Sequence, residues 1–190
     1  LSTSEPFRIS TKLLLRISAV ISAKPFSNGR NKPSGEIILK RLFYMIYALF
    51  FNLSRILPLK KNRIVFVAPH NGGENDSLGT LRSYVEKAGG YEIINISTRD
   101  LIIDKSNIRS LASSCLKAAG FFTLKATALS RAKYVFLNDN FMPMAYLRFH
   151  KDAVITQLWH AEGAFKKFGL SAPLTNEVRE RERKCSANLT

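Results

Sequence analysis

The chain has 190 residues, of which 46% are hydrophobic and 23% charged, a balance that excludes a disordered polymer and allows one ordinary domain with an appendage. Its 29 lysines and arginines against 14 acids leave a net charge of +15, so the expected partners are anionic: nucleic acid, a phosphorylated polymer or an acidic membrane. Only two cysteines, Cys115 and Cys185, are present, which excludes a disulfide framework or a cysteine-built zinc site and fits a reducing compartment.

The charge is concentrated at the front, where residues 1–62 hold 11 of the basic side chains and 2 of the acids. The chain opens at Leu1 without methionine and stops at Thr190 without an evident closing element, as expected for a piece of a longer protein. Residues 27–35, SNGRNKPSG, have the composition of a turn-rich linker. Residues 36–61, EIILKRLFYMIYALFFNLSRILPLKK, contain no helix breaker before Pro58 and predict a helix. Ile38, Leu42, Met45, Ile46, Leu49, Leu53 and Ile56 fall on one stripe of it, with Lys40, Tyr44, Phe51 and Arg55 elsewhere. Its unbroken apolar run, 42–51, is far shorter than the roughly 20 residues that span a bilayer. The segment is therefore expected to lie on a membrane, its apolar face in the headgroup region and each nearby lysine or arginine adding about 1 kcal/mol on an anionic leaflet. Packing of the same helix against its own domain is the competing expectation. No small-x-small cleavage site follows, so a secretory signal is not expected.

From residue 61 the pattern alternates. Strands are predicted at 63–68 (RIVFVA), 91–96 (YEIINI), 134–137 (YVFL) and 153–158 (AVITQL), with helices at 78–87, 108–119 and 121–132. Such alternation predicts an α/β chain with a Rossmann-like parallel sheet. Ligands of such sheets bind outside the carboxyl ends of the strands, so the loops at 69–77, 97–100, 138–140 and 159–163 are the ones to inspect. Neither GxGxxG nor a Walker A motif occurs, so no dinucleotide or P-loop nucleotide is expected, and no other cofactor or metal.

The most informative stretch is 156–169, TQLWHAEGAFKKFG, in which the single tryptophan precedes a histidine at the end of an apolar run and is followed by small residues, two lysines and glycine. Together with 129–143, LSRAKYVFLNDNFMP, it resembles the amino-terminal domain of the CDP-glycerol:poly(glycerophosphate) glycerophosphotransferase family. The similarity runs from about residue 61 to 170. Many relatives carry glycine directly after the histidine, whereas here Ala161 and Glu162 precede Gly163, and ribitol phosphate and hexose phosphate polymerases look similar at this level.

The resemblance implies a GT-B arrangement of two Rossmann-like domains across a cleft, the first holding the polymer end and the second a CDP-alcohol. On that basis residues 1–60 form a basic linker and amphipathic membrane-associating helix, and 61–190 form the first, acceptor-side domain. The implied partners are CDP-glycerol or a related CDP-polyol, a phosphate-containing polymer acceptor and an anionic membrane surface, which places the protein peripherally on the cytoplasmic face of the cell membrane. His160 matches the family's catalytic histidine. Removal of a proton from an acceptor hydroxyl by a positioned imidazole is worth about 10²–10⁴ in rate. Lys166 and Lys167 fall where a helix amino terminus and two ammonium groups favour phosphate, or form a solvated face. Gly163 supplies the small residue of the loop. His70 lies in the first strand-end loop, and Asp139 and Asn140 either contact acceptor hydroxyls or form a turn. Trp159 is expected to pack and His150 to lie at the surface.

The alternative class is a non-catalytic, membrane-bound or nucleic-acid-binding basic domain. No aromatic RNP pair, helix-turn-helix, zinc-finger spacing or GXXG loop is present, so no nucleic acid is expected.

Overall fold

A computed structural model describes residues 34–69, 76–102, 104, 106–158, 170 and 173–190. Four strands, β1 (Lys60–Ala68), β2 (Glu92–Ser97), β3 (Ala132–Leu137) and β4 (Val154–Gln157), form one wholly parallel sheet in the order β2-β1-β3-β4. Strand β1 is central and buried from Arg63 through Ala68, the near-continuous apolar run of a parallel strand covered on both faces. Side-chain alternation divides it. Ile64, Phe66 and Ala68 meet Leu78, Leu81 and Val85 of helix α2 (Ser77–Ala88), while Val65 and Val67 join Val135, Leu137 and Ile155 in the larger core on the other face.

That larger core is closed by helix α1 (Ser34–Ser54). The face that packs is aromatic: Phe43, Tyr47 and Phe51 recur every four residues and are buried, Tyr47 and Phe51 completely. Tyr47 lies 5.2 Å from Phe121 and 5.5 Å from Phe141 between ring centroids, and Phe51 lies 4.9 Å from Phe149. Such pairs add about 0.5–1.5 kcal/mol each beyond the area they bury. Asn52 secures the same docking, donating to Tyr146 O at 3.3 Å and accepting from Arg148 N at 3.1 Å. The aliphatic stripe points away. Ile38, Leu42, Met45, Leu49, Leu53 and Ile56 are exposed, Met45 to 61% and Leu49 to 56%. The helix thus packs on the domain through one apolar face and presents a second.

Two helical runs expected at 108–119 and 121–132 are one nearly continuous path: α3 (Ile108–Gly120), a π-helical turn at Phe121–Lys125, and α4 (Ala126–Ser130). The π turn keeps Phe121 buried with Phe122 packed beside it. The path ends earlier than expected because Lys60 N donates to Arg131 O at 2.8 Å and Ala132 pairs with Lys60, so β3 starts where the helix pattern alone would continue. A further helix, α5 (Asn176–Ser186), was not anticipated. Thr175 caps it, its hydroxyl accepting from Val178 N at 3.4 Å, and it packs on the 3₁₀ segment Met142–Tyr146. After it, Thr190 N donates to Ile155 O at 2.9 Å, extending the β4 edge.

Candidate functional site

The sheet order places a switch point between β1 and β3, since the chain runs from β1 to β2 on one side and then crosses to β3 on the other. Ligand crevices of doubly wound sheets form outside the carboxyl ends at such a point. Here those ends carry Pro69 and Asn138, with Asn138 N donating to Val67 O at 3.4 Å. Leu158 N donates to Leu137 O at 2.6 Å, holding the end of β4 against the end of β3.

The polar groups at this edge are organised by one another. Asp76 caps α2, its Oδ1 accepting from Leu78 N at 3.0 Å and Gly79 N at 3.1 Å, as a carboxylate at a helix amino terminus should. Its Oδ2 accepts from Asn138 Nδ2 at 2.5 Å, joining the start of α2 to the end of β3 across 62 residues of sequence. Asn138 is buried. Asp139 Oδ1 accepts from the neighbouring Asn140 N at 2.6 Å. Asn140 Nδ2 donates to Glu182 Oε2 of α5. At the end of β2, Ser97 caps the 3₁₀ turn Thr98–Leu101, Thr98 donates its hydroxyl to Pro69 O, and Asp100 pairs with Lys125.

Of the residues singled out from the sequence, Asp139 and Asn140 lie at this edge, both half-buried. His160, Lys166, Lys167, Gly163, His70 and Trp159 lie outside the described residues. The structure adds three residues to those read from the sequence: Asp76, Asn138 and Glu182. Asp76 was legible as the capping residue of a Ser-Leu-Gly helix start. The partnership of Asn138 with Asp76 and the reach of Glu182 had no local signal. Among the described residues, no three histidine, cysteine, aspartate or glutamate side chains converge as metal ligands. Outside this edge, Arg63 and Lys60 grip Glu92 at the opposite end of the sheet and hold its carboxyl at about 2, far below the usual carboxylate range.

Comparison with known proteins adds a second line of observation. The sequence model described as CDP-Glycerol:Poly(glycerophosphate) glycerophosphotransferase matches residues 49–189, spanning the sheet, α5 and the last turn of α1. The teichoic acid poly(ribitol-phosphate) polymerase of Bacillus spizizenii is 32% identical over 138 residues, covering 68% of this chain and 19% of its own length. The teichoic acid ribitol-phosphate polymerase TarL of Staphylococcus aureus is 30% identical over 136 residues, covering 66% of this chain and 21% of its own. The teichoic acid ribitol-phosphate primase of Bacillus spizizenii is 28% identical over 134 residues, covering 70% and 32%. The chain thus spans between a fifth and a third of the length of these relatives.

Proposed function

Because the chain belongs to the CDP-glycerol:poly(glycerophosphate) glycerophosphotransferase family, we infer that it is the acceptor-side, amino-terminal part of a polyol-phosphate transferase of teichoic acid or capsule assembly. The observation that carries this is the coincidence of the family match with the parallel sheet and its polar carboxyl edge. The relatives named for ribitol phosphate make a CDP-ribitol donor as fitting as CDP-glycerol.

In this reaction a terminal hydroxyl of the polymer attacks the β-phosphorus of the CDP-polyol. The bond from that phosphorus to the bridging oxygen breaks, CMP leaves, and the hydroxyl proton passes to a base. His160 is that base, Lys166 and Lys167 contact acceptor phosphate, and a second Rossmann-like domain holds the nucleotide in a GT-B arrangement. An acceptor that is an anionic polymer accords with the net charge of +15.

Docking to the cytoplasmic face of the membrane belongs to the same proposal. Its support is the aliphatic stripe of α1, exposed although the helix has already buried its aromatic face, in the most basic third of the chain. Among the described residues, no helix is long and apolar enough to cross a membrane.

The test is CMP release from CDP-ribitol or CDP-glycerol with a polyol-phosphate acceptor, using an enzyme that joins this chain to a nucleotide-binding half. His160→Ala should lower turnover by roughly two to four powers of ten while leaving acceptor binding in place. Retained turnover accompanied by a lowered melting temperature would make His160 a packing residue. The present chain alone should release no CMP.

A further inference from the structure

On the α2 side of the sheet a small groove opens between that helix and the outer strand β2. Strand register lays its bed. Phe66 of β1 lies beside Asn95 of β2, and Ala68 beside Ser97, so these side chains share the face that α2 covers. Leu78 and Arg82, one turn apart on α2, form the facing wall. The enclosed part measures about 20 Å³, room for one water-sized group, and beyond it the groove opens to solvent, with Asn95 exposed at its rim.

The polar side chains around this space have protons to give. Arg82 Nε is closed to solvent and has no hydrogen-bond partner among the described residues. Glu86 Oε1, one turn further along α2, lies 3.4 Å from it, close enough to pair charges but not aligned to accept the proton. The Glu86 side chain is 52% exposed, so water screens its pull on Arg82. Ser97 Oγ already accepts from Arg99 N at 3.2 Å, which leaves its own proton for a ligand. The Asn95 side chain makes no hydrogen bond to the described residues. A guanidinium only donates, so the group that completes Arg82 is an acceptor, and the fixed positive charge favours an anionic one. No acidic side chain lines the groove to repel it.

We propose that this groove is a phosphate subsite for the anionic polymer: one phosphate oxygen enters the enclosed space and accepts from Arg82, and Asn95 and Ser97 donate to the oxygens left at the rim. Phosphate and carboxylate both fit a guanidinium, and the choice of phosphate rests on the acceptor-side reading above. The subsite adds Arg82, Asn95 and Ser97 to the acceptor contacts. It lies on the side of β1 away from β3, next to the β1–β3 switch point. The polymer is thus gripped at a phosphate beside the crevice, which favours phosphate-bearing acceptors over free polyols.

The experiment titrates the ¹⁵N-labelled chain with inorganic phosphate, with ribitol and with short poly(ribitol phosphate), following Arg82 Nε–H, the Asn95 side-chain amide and the Ser97 backbone amide. Phosphate and the polymer should shift all three saturably, each displacing the other, and ribitol should leave them in place. Arg82→Gln keeps a donor, removes the charge and should weaken phosphate about tenfold, the value of a charge-assisted hydrogen bond. Glu86→Gln removes the competing carboxylate at an exposed position and should tighten phosphate about two- to fivefold; this arm stands if Arg82→Gln fails to fold. An equal phosphate response in the unaltered chain and both variants would overturn the proposal, as would shifts confined to other residues, and polymer binding elsewhere would leave the acceptor-side reading in place. Phosphate bound here without any response to the polymer would also overturn it, leaving an anion site unrelated to the acceptor. No response of any residue to the polymer would remove the acceptor-side reading as well.

Discussion

Asn140, directly after β3, donates its side-chain amide to Glu182 in α5, 42 residues further along the chain. The contact joins the loop at the carboxyl edge of the sheet to a helix whose residues 176–186 include only two apolar side chains, Val178 and Cys185. Few apolar contacts hold α5, so a buried polar one matters more. Glu182→Ala leaves the Asn140 amide without its acceptor and should cost about 1–3 kcal/mol, and Glu182→Gln, which keeps an acceptor oxygen, should recover part of it. Thermal melts of the two variants check this; equal melting temperatures would show that α5 is held without the contact.

The two apolar faces of α1 should separate in mutagenesis. Phe51→Ala removes a fully buried ring and should destabilise by about 3–5 kcal/mol in denaturant unfolding. Met45→Gln and Leu49→Gln, on the exposed stripe, should change stability by no more than about 0.5 kcal/mol.

The same surface pair should act on membranes. Sedimentation with phosphatidylserine-containing vesicles should fall for Met45→Asp/Leu49→Asp, and for the unaltered chain it should weaken as salt is raised. Undiminished sedimentation of the double variant would exclude the stripe as the membrane contact.

Glu92 sets an acid limb of stability. Hydrogen bonds from Arg63, then from Lys60, hold its carboxyl at about 2 against the ordinary 4.5. A depressed carboxylate stabilises the fold fully above its unfolded value and loses that contribution as pH falls through the folded one. Glu92→Gln should therefore melt below the unaltered chain at pH 6, with the gap closing between about pH 4.5 and 2. The carboxylate is 38% exposed, so solvent screening keeps the gap small. A gap constant with pH would show that the pair does not carry the shift.

The two cysteines should differ in reactivity. Cys185 is 3% exposed, and burial pushes its thiol up to about 11, so at pH 8 roughly a thousandth is thiolate. Cys115 is only half-buried. A thiol reagent should label Cys115 in the folded chain and Cys185 only on unfolding, which mass spectrometry of the labelled peptides resolves.

The sequence by itself determined the parallel sheet, because strand and helix periods and the apolar run of β1 are local properties that four strands in alternation can satisfy in few ways. It likewise marked α1 as apolar and placed Asp139 and Asn140 directly after a strand, either as acceptor contacts or as a turn. Which apolar face of α1 is buried was decided only by tertiary structure. Both faces repeat at helical spacing, and the aromatic one wins because Phe121, Phe141 and Phe149 arrive from distant segments to receive it. The same holds for the end of α4, which is cut short by pairing with β1, and for α5, whose docking rests on polar contacts that leave no periodic trace. The Asp76–Asn138 pair is the clearest case: each residue alone is a cap or a turn former, and only the crossover that brings β3 beside β1 sets them 2.5 Å apart.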